Sequence, residues 1–292
     1  MARKLAFFAL FGAILAAAEA RAYEPAGEKS PDPDAPLGLL PTPPDALIDP
    51  NMARSWAALP ARPFIATMFD FGVVYFRPRV SLGYGRPFTS WVGVDFNAIV
   101  QTSGLGAYAG LRLELPHLNF RAGPRYFRSF THTYLEPEES YQRIDLERAF
   151  GKPAHVVTWE SELDLSAHLG PGDVLLRGSL SYVTGVPKGM RVFEETLHVI
   201  VDPPWVFRVR LAYGFTFGEH SQHSIGPAID FLDVIKRDDS KTVRVGPLLR
   251  MQLSRRVEVR GSFLLTVMSP DDIGLIGGDF TELGVRYRWA SE

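Results

Sequence analysis

The chain of 292 residues contains no cysteine. This absence excludes disulfide bonds, zinc–thiolate sites, catalysis by a thiol and attachment of lipid to an N-terminal cysteine. The formal net charge of −2 gives no indication of a nucleic-acid partner. We find no cofactor motif, and we expect neither a cofactor nor a metal. Lysine is scarce and occurs at positions 4, 29, 152, 188, 236 and 241.

Long apolar runs are also absent beyond the N-terminus. Leu5 to Ala18 is apolar, but it is shorter than the roughly 20 residues that span a bilayer comfortably. Arg3 and Lys4 precede it, and Ala20 and Ala22 follow in a small-x-small cleavage pattern. We therefore predict a cleaved signal peptide over residues 1–22, with an uncleaved anchor as the alternative. Any later segment that enters a membrane must do so as strands.

Residues 23–63 form a separate region by composition. Ten of the 23 prolines lie there, and proline fixes φ and lacks a backbone donor. We predict an extended or disordered tail, and the alternative is a plug or a partner-binding arm.

From residue 64 onwards the sequence alternates with a period of two. One face of segment 205–217 is apolar: Trp205, Phe207, Val209, Leu211, Tyr213, Phe215 and Phe217. The opposite face carries Arg208 and Arg210 among small and polar residues. Successive side chains on a strand point to opposite faces, so this pattern predicts one apolar face and one polar, cationic face.

Eleven segments of this kind are long for globular strands and match the length of strands that cross a bilayer. They are 73–85, 89–101, 105–115, 118–130, 156–169, 173–183, 205–217, 224–235, 242–253, 257–268 and 279–289. Single-chain barrels usually have an even strand count, so we place a twelfth strand near Phe64 to Phe71, or else within 190–201. The prediction for 64–292 is an all-β, antiparallel, transmembrane up-and-down barrel of about twelve strands, with ten to fourteen left open.

The last predicted strand carries the most specific motif. The motif consists of a polar residue, a glycine and two aromatic residues at fixed spacing, here Glu282, Gly284, Tyr287 and Trp289. This pattern resembles the C-terminal β-signal of Gram-negative outer-membrane barrel proteins, although three residues follow Trp289. The resemblance implies outer-membrane location, lipid as surroundings and recognition by the barrel-assembly machinery. It also implies that the tail and short turns lie in the periplasm and that the longer loops 131–155, 184–204 and 269–278 lie outside.

The inward faces of these strands would be charged. The predicted inward cations are all arginines: Arg77, Arg79, Arg112, Arg121, Arg125, Arg177, Arg208, Arg210, Arg244, Arg250, Arg260, Arg286 and Arg288. The predicted inward anions are Asp95, Glu114, Glu160, Glu162, Asp164, Asp230, Glu258 and Glu282. Thirteen cations against eight anions allow two interpretations, which can coexist. One is a cross-strand charge ladder that stiffens the barrel, and the other is a pathway that favours anionic solutes.

Enzymatic alternatives rest on few residues. The segment Glu219-His220-Ser221-Gln222-His223-Ser224 resembles the serine and histidine pairs of barrel phospholipases and lipid A deacylases only loosely. Each histidine directly precedes a serine, and adjacent strand residues face opposite ways, so we do not expect a catalytic dyad. The predicted function is therefore structural, binding or passive transport. A barrel hydrolase acting on membrane lipid and a soluble periplasmic β-protein are the alternatives.

Overall fold

The computed structural model of the chain describes residues 56, 59–73, 75–148, 151–218, 222–280 and 283–291. The predicted signal peptide with Ala20 and Ala22, most of the predicted tail, and Glu282 lie outside these residues. The strands are β1 Arg62–Gly72, β2 Tyr75–Arg86, β3 Ser90–Gln101, β4 Gly104–Leu115, β5 Leu118–Leu135, β6 Pro153–Leu169, β7 Gly172–Thr184, β8 Arg191–Glu194, β9 Val199–Val201, β10 Trp205–Phe217, β11 His223–Val234, β12 Thr242–Gln252, β13 Val257–Ser262, β14 Leu265–Met268 and β15 Gly284–Ala290. In the described parts of the connections lie a short helix, α1 (Arg143–Arg148), and a 3₁₀ turn (Gly274–Gly277).

Twelve strands close into an antiparallel barrel. Neighbours along the chain pair with each other from β1 to β7, and β7 then pairs with β10. The order continues through β11, β12 and the interrupted strand β13–β14 to β15. β15 returns to β1, with Ala66 opposite Ala290 and Gly72 opposite Gly284. The prediction of an up-and-down barrel of about twelve strands is confirmed, and β1 is the twelfth strand placed near Phe64 to Phe71.

The two ends of the barrel differ. We call the end with the start of β1 and the end of β15 the terminal end, and it carries the short β2–β3, β4–β5, β6–β7, β10–β11 and β12–β13 turns. We call the opposite end the loop end, and it carries the long connections 136–152, 185–204 and 269–283. Among the described residues, no helix is long and apolar enough to span a membrane.

Several predicted boundaries differ from the structure: β5 extends to Leu135 and β6 begins at Pro153, so the predicted loop 131–155 is shorter than expected. Three further differences concern the loop end. The predicted strand 257–268 breaks at Phe263 and Leu264, because the backbone of Leu264 pairs with Asp279 and not with β12. For the same reason β15 begins at Gly284 and not at residue 279. Residues 190–201 do contain strands, but β8 and β9 form a separate hairpin whose β8 joins the extended end of β5.

The end of the predicted Pro-rich tail packs against the barrel. Trp56 is only 5% exposed, and its indole Nε1 donates a hydrogen bond to the Arg255 carbonyl at 3.0 Å. The guanidinium of Arg255 lies 3.9 Å from the ring centroid of Trp56, within the range of a cation–π contact. Phe88 meets the same ring edge-on. Trp56 therefore fixes the chain at the terminal end, just before β1.

The outer surface is apolar around the whole barrel. Each of the twelve barrel strands exposes at least one large hydrophobic side chain, for example Leu111, Leu211 and Val285. Trp159, Tyr182 and Trp205 lie side by side on adjacent strands near the loop end. Exposed aromatic rows at the ends of an apolar band are typical of barrels that sit in a bilayer.

Candidate functional site

The barrel lumen holds the candidate site, because alternation turns the charged faces of the strands inward. In β10 the exposed Trp205, Leu211 and Phe215 alternate with buried Val206, Arg208 and Arg210. Among the described residues, nearly all the predicted inward arginines lie within 4.0 Å of a carboxylate. Most of these ion pairs form four groups, around Asp230, Glu160, Asp95 and Glu258.

The most deeply buried group surrounds Asp230, and we call it the Asp230 cluster. The Asp230 carboxylate is fully buried and accepts two hydrogen bonds from Arg208, both 2.8 Å long. Arg210 and Arg244 approach the same carboxylate at 3.4 and 3.3 Å. Asp279 pairs with Arg208 and Arg210 from the loop-end connection. Three guanidinium groups thus share two carboxylates, and all five side chains are largely buried.

The second group links β5, β6 and β7. Arg121 pairs with Glu162 at 3.1 Å, and Arg177 pairs with Asp164 at 2.7 Å. Arg125 contacts Glu160 at 3.0 Å and also Glu194, from the 185–204 connection, at 2.6 Å. These cross-strand pairs form the ladder arrangement that the alternation suggested.

The remaining predicted charges form two further groups and one separate pair. Arg112 bridges Asp95 and Glu114 at 2.9 and 3.2 Å, with Arg79 at 4.0 Å from Asp95. Glu258 accepts from Arg250, Arg260 and Arg288 at 2.9 to 3.2 Å, and we call this the Glu258 cluster. Arg286 pairs with Asp70. Arg77 differs from the other predicted arginines, because no described carboxylate lies within ion-pair distance of it. Its guanidinium carbon lies 5.4 Å from the centroid of the Tyr75 ring.

A hairpin fills the lumen at the loop end, and we call residues 191–201 the hairpin plug. Val192, Leu197, Val199 and Val201 pack on wall residues such as Phe127, Val183 and Leu232. Phe193 and Ile200 face the other way, against Tyr141 and Leu146 of the outer connection. Each fully buried side chain of this size contributes about 1.5–3 kcal/mol relative to exposure, so the plug is strongly held.

Hydrogen bonds also hold the hairpin plug against the barrel wall. Arg244 donates from Nη2 to the carbonyls of Leu197 and His198, both at 2.9 Å. Glu195 is buried beside His132 and Ser129 of β5. Burial lowers the pKa of His198 below its usual range, and the nearby Arg244 acts in the same direction while Asp279 opposes it. The plug is therefore apolar in its body and hydrogen-bonded at its turn.

Two cavities lie on the terminal side of the hairpin plug. The larger, which we call the vestibule, has a volume of about 340 Å³ and lies next to the Glu258 cluster. Seven arginines and four carboxylates line it among the described residues. The smaller inner cavity, of about 80 Å³, lies directly below Thr196 and Leu197 of the plug. Arg177 and Arg210 line both cavities, so the two spaces adjoin.

Five luminal carboxylates were not predicted from the sequence, and one of them is Asp173, which lines the vestibule. Asp70 lies on β1, which was placed only approximately. Glu194 and Glu195 lie in the connection 184–204, which was predicted to be an outer loop. Asp279 was predicted as the first residue of the last strand, but it lies in the connection before β15. The apolar run Val199-Ile200-Val201 was the one available signal that the 184–204 connection packs inward. The cation excess in the lumen is therefore smaller than the predicted thirteen against eight.

The candidate hydrolytic residues do not form a dyad in the part of the chain that the structure describes. Glu219, His220 and Ser221 lie outside the described residues. Ser224 lines the vestibule, whereas the His223 ring packs on Phe217 of the outer face. The two side chains thus point to opposite faces, as adjacent strand residues must. Within the described residues no group of three His, Asp or Glu side chains could hold a metal ion.

The predicted assembly motif lies at the seam where the barrel closes. Tyr287 and Trp289 lie on the outer face of β15, opposite Phe69 and Thr67 of β1. A Cβ atom at Gly284 would lie 2.1 Å from the Phe71 carbonyl oxygen, so only glycine allows β1 to approach this closely. Glu282 lies outside the described residues.

We expect the double change Tyr287→Ala and Trp289→Ala to reduce the amount of barrel in the outer membrane sharply. Both rings lie on the outer face, so their loss leaves the β1–β15 hydrogen bonds in place and removes only the aromatic part of the signal. The measurement is the level of heat-modifiable protein in isolated outer membranes. Val285→Ala, on the same face of β15, is the matched control and should insert normally. Equal insertion of the unmodified chain, the double variant and the control would show that these aromatics are not recognised.

Comparison with known proteins adds no functional assignment. No protein-family profile and no curated protein matches the chain. Among solved structures, the NanC porin aligns over 78% of this chain and 97% of its own, with 8% identity and a TM-score of 0.36. A loop-deletion mutant of OmpT, an outer membrane protein of Vibrio cholerae, has 8% identity over 78% of this chain and 97% of its own, with a TM-score of 0.32. The β domain of the Bordetella autotransporter BrkA has 13% identity over 80% and 98%, with a TM-score of 0.32. At these TM-scores the likeness carries no argument about the function of this chain.

Proposed function

We propose that this chain is an integral outer-membrane protein that binds an anionic solute from the periplasmic side, in a lumen closed towards the outside. The membrane assignment is supported by the exposed apolar side chains on every barrel strand and by the aromatic row near the loop end. A closed barrel satisfies all its backbone hydrogen bonds internally, which a strand structure in lipid must do. A soluble periplasmic protein would expose this whole band to water.

The orientation follows from the two unequal ends. The terminal end carries both ends of the barrel chain and only short turns, whereas the loop end carries the long connections together with the short β1–β2 and β3–β4 turns. In bacterial outer-membrane barrels the short turns are periplasmic and the longer loops are extracellular. The terminal end, with the vestibule, then opens to the periplasm.

The observation that carries the binding role is the one-sided lumen. The hairpin plug fills the loop end with buried apolar side chains, whereas the vestibule is lined by seven arginines and stays accessible. Arg250 in the vestibule has a side chain that is 54% exposed, although it lies on the inward face. An open pore would need a continuous aqueous path, and the plug interrupts it. No observation on the described residues favours the hydrolase alternative.

The cysteine-free chain allows a direct test in cells. A single cysteine at Lys188, exposed at the loop end, should react in intact cells with a maleimide attached to a polymer too large for the outer membrane. A single cysteine at His168, whose side chain is 70% exposed at the terminal end, should react only after the outer membrane is opened. The opposite pattern would reverse the orientation. Recovery of both variants in the soluble periplasm would refute the membrane assignment.

A further inference from the structure

We propose that the vestibule binds a small organic carboxylate with a compact apolar body, which deepens the proposed binding role and rests on it. Sites for small ligands are typically cavities of about 300–1,000 Å³ that combine apolar walls with a few placed polar groups. The vestibule, at about 340 Å³, lies at the lower end of this range. Its wall has a cationic part and an apolar part, and the two lie next to each other.

The cationic part of the wall is the Glu258 cluster. Arg250 on β12 lies opposite Arg260 on β13, and Arg288 reaches the same carboxylate from β15. One buried carboxylate therefore gathers three guanidinium groups on three adjacent strands. Arginine's planar fork matches a carboxylate in a two-point contact, and its charge persists at any physiological pH.

The apolar part of the wall begins beside these arginines. Leu248 lies two residues before Arg250 on the same inward face of β12, and it packs on Ala212, Ala228 and Leu264. Met68 and Leu175 line the same cavity, and Leu175 is 44% exposed although it faces the lumen. The exposed part of this leucine is not covered by neighbouring side chains, so a ligand can pack against it.

The spacing sets the size of the ligand. Two residues along a strand are separated by about 7 Å, so a carboxylate held at Arg250 places the adjoining group over Leu248. A single ring or a short branched chain fits this distance. A simple inorganic anion would contact the arginines alone, and a neutral apolar solute would contact only the apolar part of the wall.

Calorimetric titration of the purified full chain in detergent micelles tests this proposal with three probes. Benzoate has both features, acetate lacks the apolar body and benzamide lacks the charge. We expect benzoate to bind more tightly than acetate by about tenfold, as expected for filling an apolar wall. Benzamide should bind more weakly than benzoate by about tenfold, as expected for losing a charged hydrogen bond.

Two variants separate the two parts of the wall. Arg250→Gln should weaken both benzoate and acetate, whereas Leu248→Asn should weaken benzoate alone. Arg143→Gln, exposed on α1 outside the lumen, is the control and should change neither. Equal affinity for benzoate and acetate in the unmodified chain, or unchanged benzoate binding in Leu248→Asn, would overturn the proposal. Binding is measured on purified protein, so this result is independent of the labelling in cells that tests the membrane orientation.

Discussion

Replacing Asp230 by asparagine is expected to lower the free energy of unfolding of the barrel by roughly 3–5 kcal/mol, because removing one partner of a buried ion pair leaves the other charges uncompensated. Asp230 is fully buried and touches Arg208, Arg210 and Arg244. Asparagine keeps the shape but leaves three guanidinium groups with Asp279 as the remaining carboxylate of the cluster. The measurement is urea unfolding of the protein refolded into lipid vesicles.

The control for this variant is Asp173→Asn. The Asp173 side chain is 44% exposed at the terminal end and its ion-pair partner is the exposed His168. Exposed ion pairs contribute about 0–1 kcal/mol, so this change should barely alter stability. Similar losses in the two variants would mean that the Asp230 cluster is hydrated and that its charges are not confined in a dry interior.

Removing the hairpin plug should convert a closed barrel into a conducting one. Tyr182 pairs with Trp205, so the ends of β7 and β10 are adjacent and a short Gly-Ser linker can replace residues 185–204. The deletion removes the apolar body that fills the loop end and leaves the luminal arginines in place. In planar bilayers we expect no steady conductance from the unmodified chain and a steady, anion-favouring conductance from the deletion variant.

A matched control keeps the plug and alters its surroundings. Arg143 and Glu147 form an exposed ion pair on α1, and replacing both by glutamine should leave the barrel closed. Both proteins must show the same heat-modifiable migration, so that conductance is compared between folded barrels. Steady conductance from the unmodified chain would show that the plug does not seal the lumen, and cation preference in the deletion variant would remove the basis for anion binding.

The barrel could be predicted from sequence because its signal is local and repeated. The alternation in segment 205–217 matches β10 from end to end. The predicted segment 105–115 differs from β4 by one residue. The face on which a strand residue lies follows from its place in the alternation. It can therefore be predicted from neighbouring residues, without knowledge of distant contacts.

The loop end could not be predicted because its structure depends on contacts across the lumen. Glu194 meets Arg125, and Asp279 meets Arg208, over long separations that no local pattern encodes. The break at Phe263 and Leu264 has the same origin, since alternation continues through it in the sequence and only the contact with Asp279 interrupts the strand. Loop-borne carboxylates therefore changed the charge balance of the lumen.

The seam between β1 and β15 also determines how this chain must fold. Ala66 pairs with Ala290, so closing the barrel requires contact between the first and last strands, which are far apart in the sequence. Contacts between residues so distant in sequence give a high contact order, which makes folding slow. Until the seam closes, β1 and β15 both present unpaired edges that can pair with other chains. Aggregation during biogenesis is therefore a hazard for this protein, and shielding these two edges is the step where assistance would matter most.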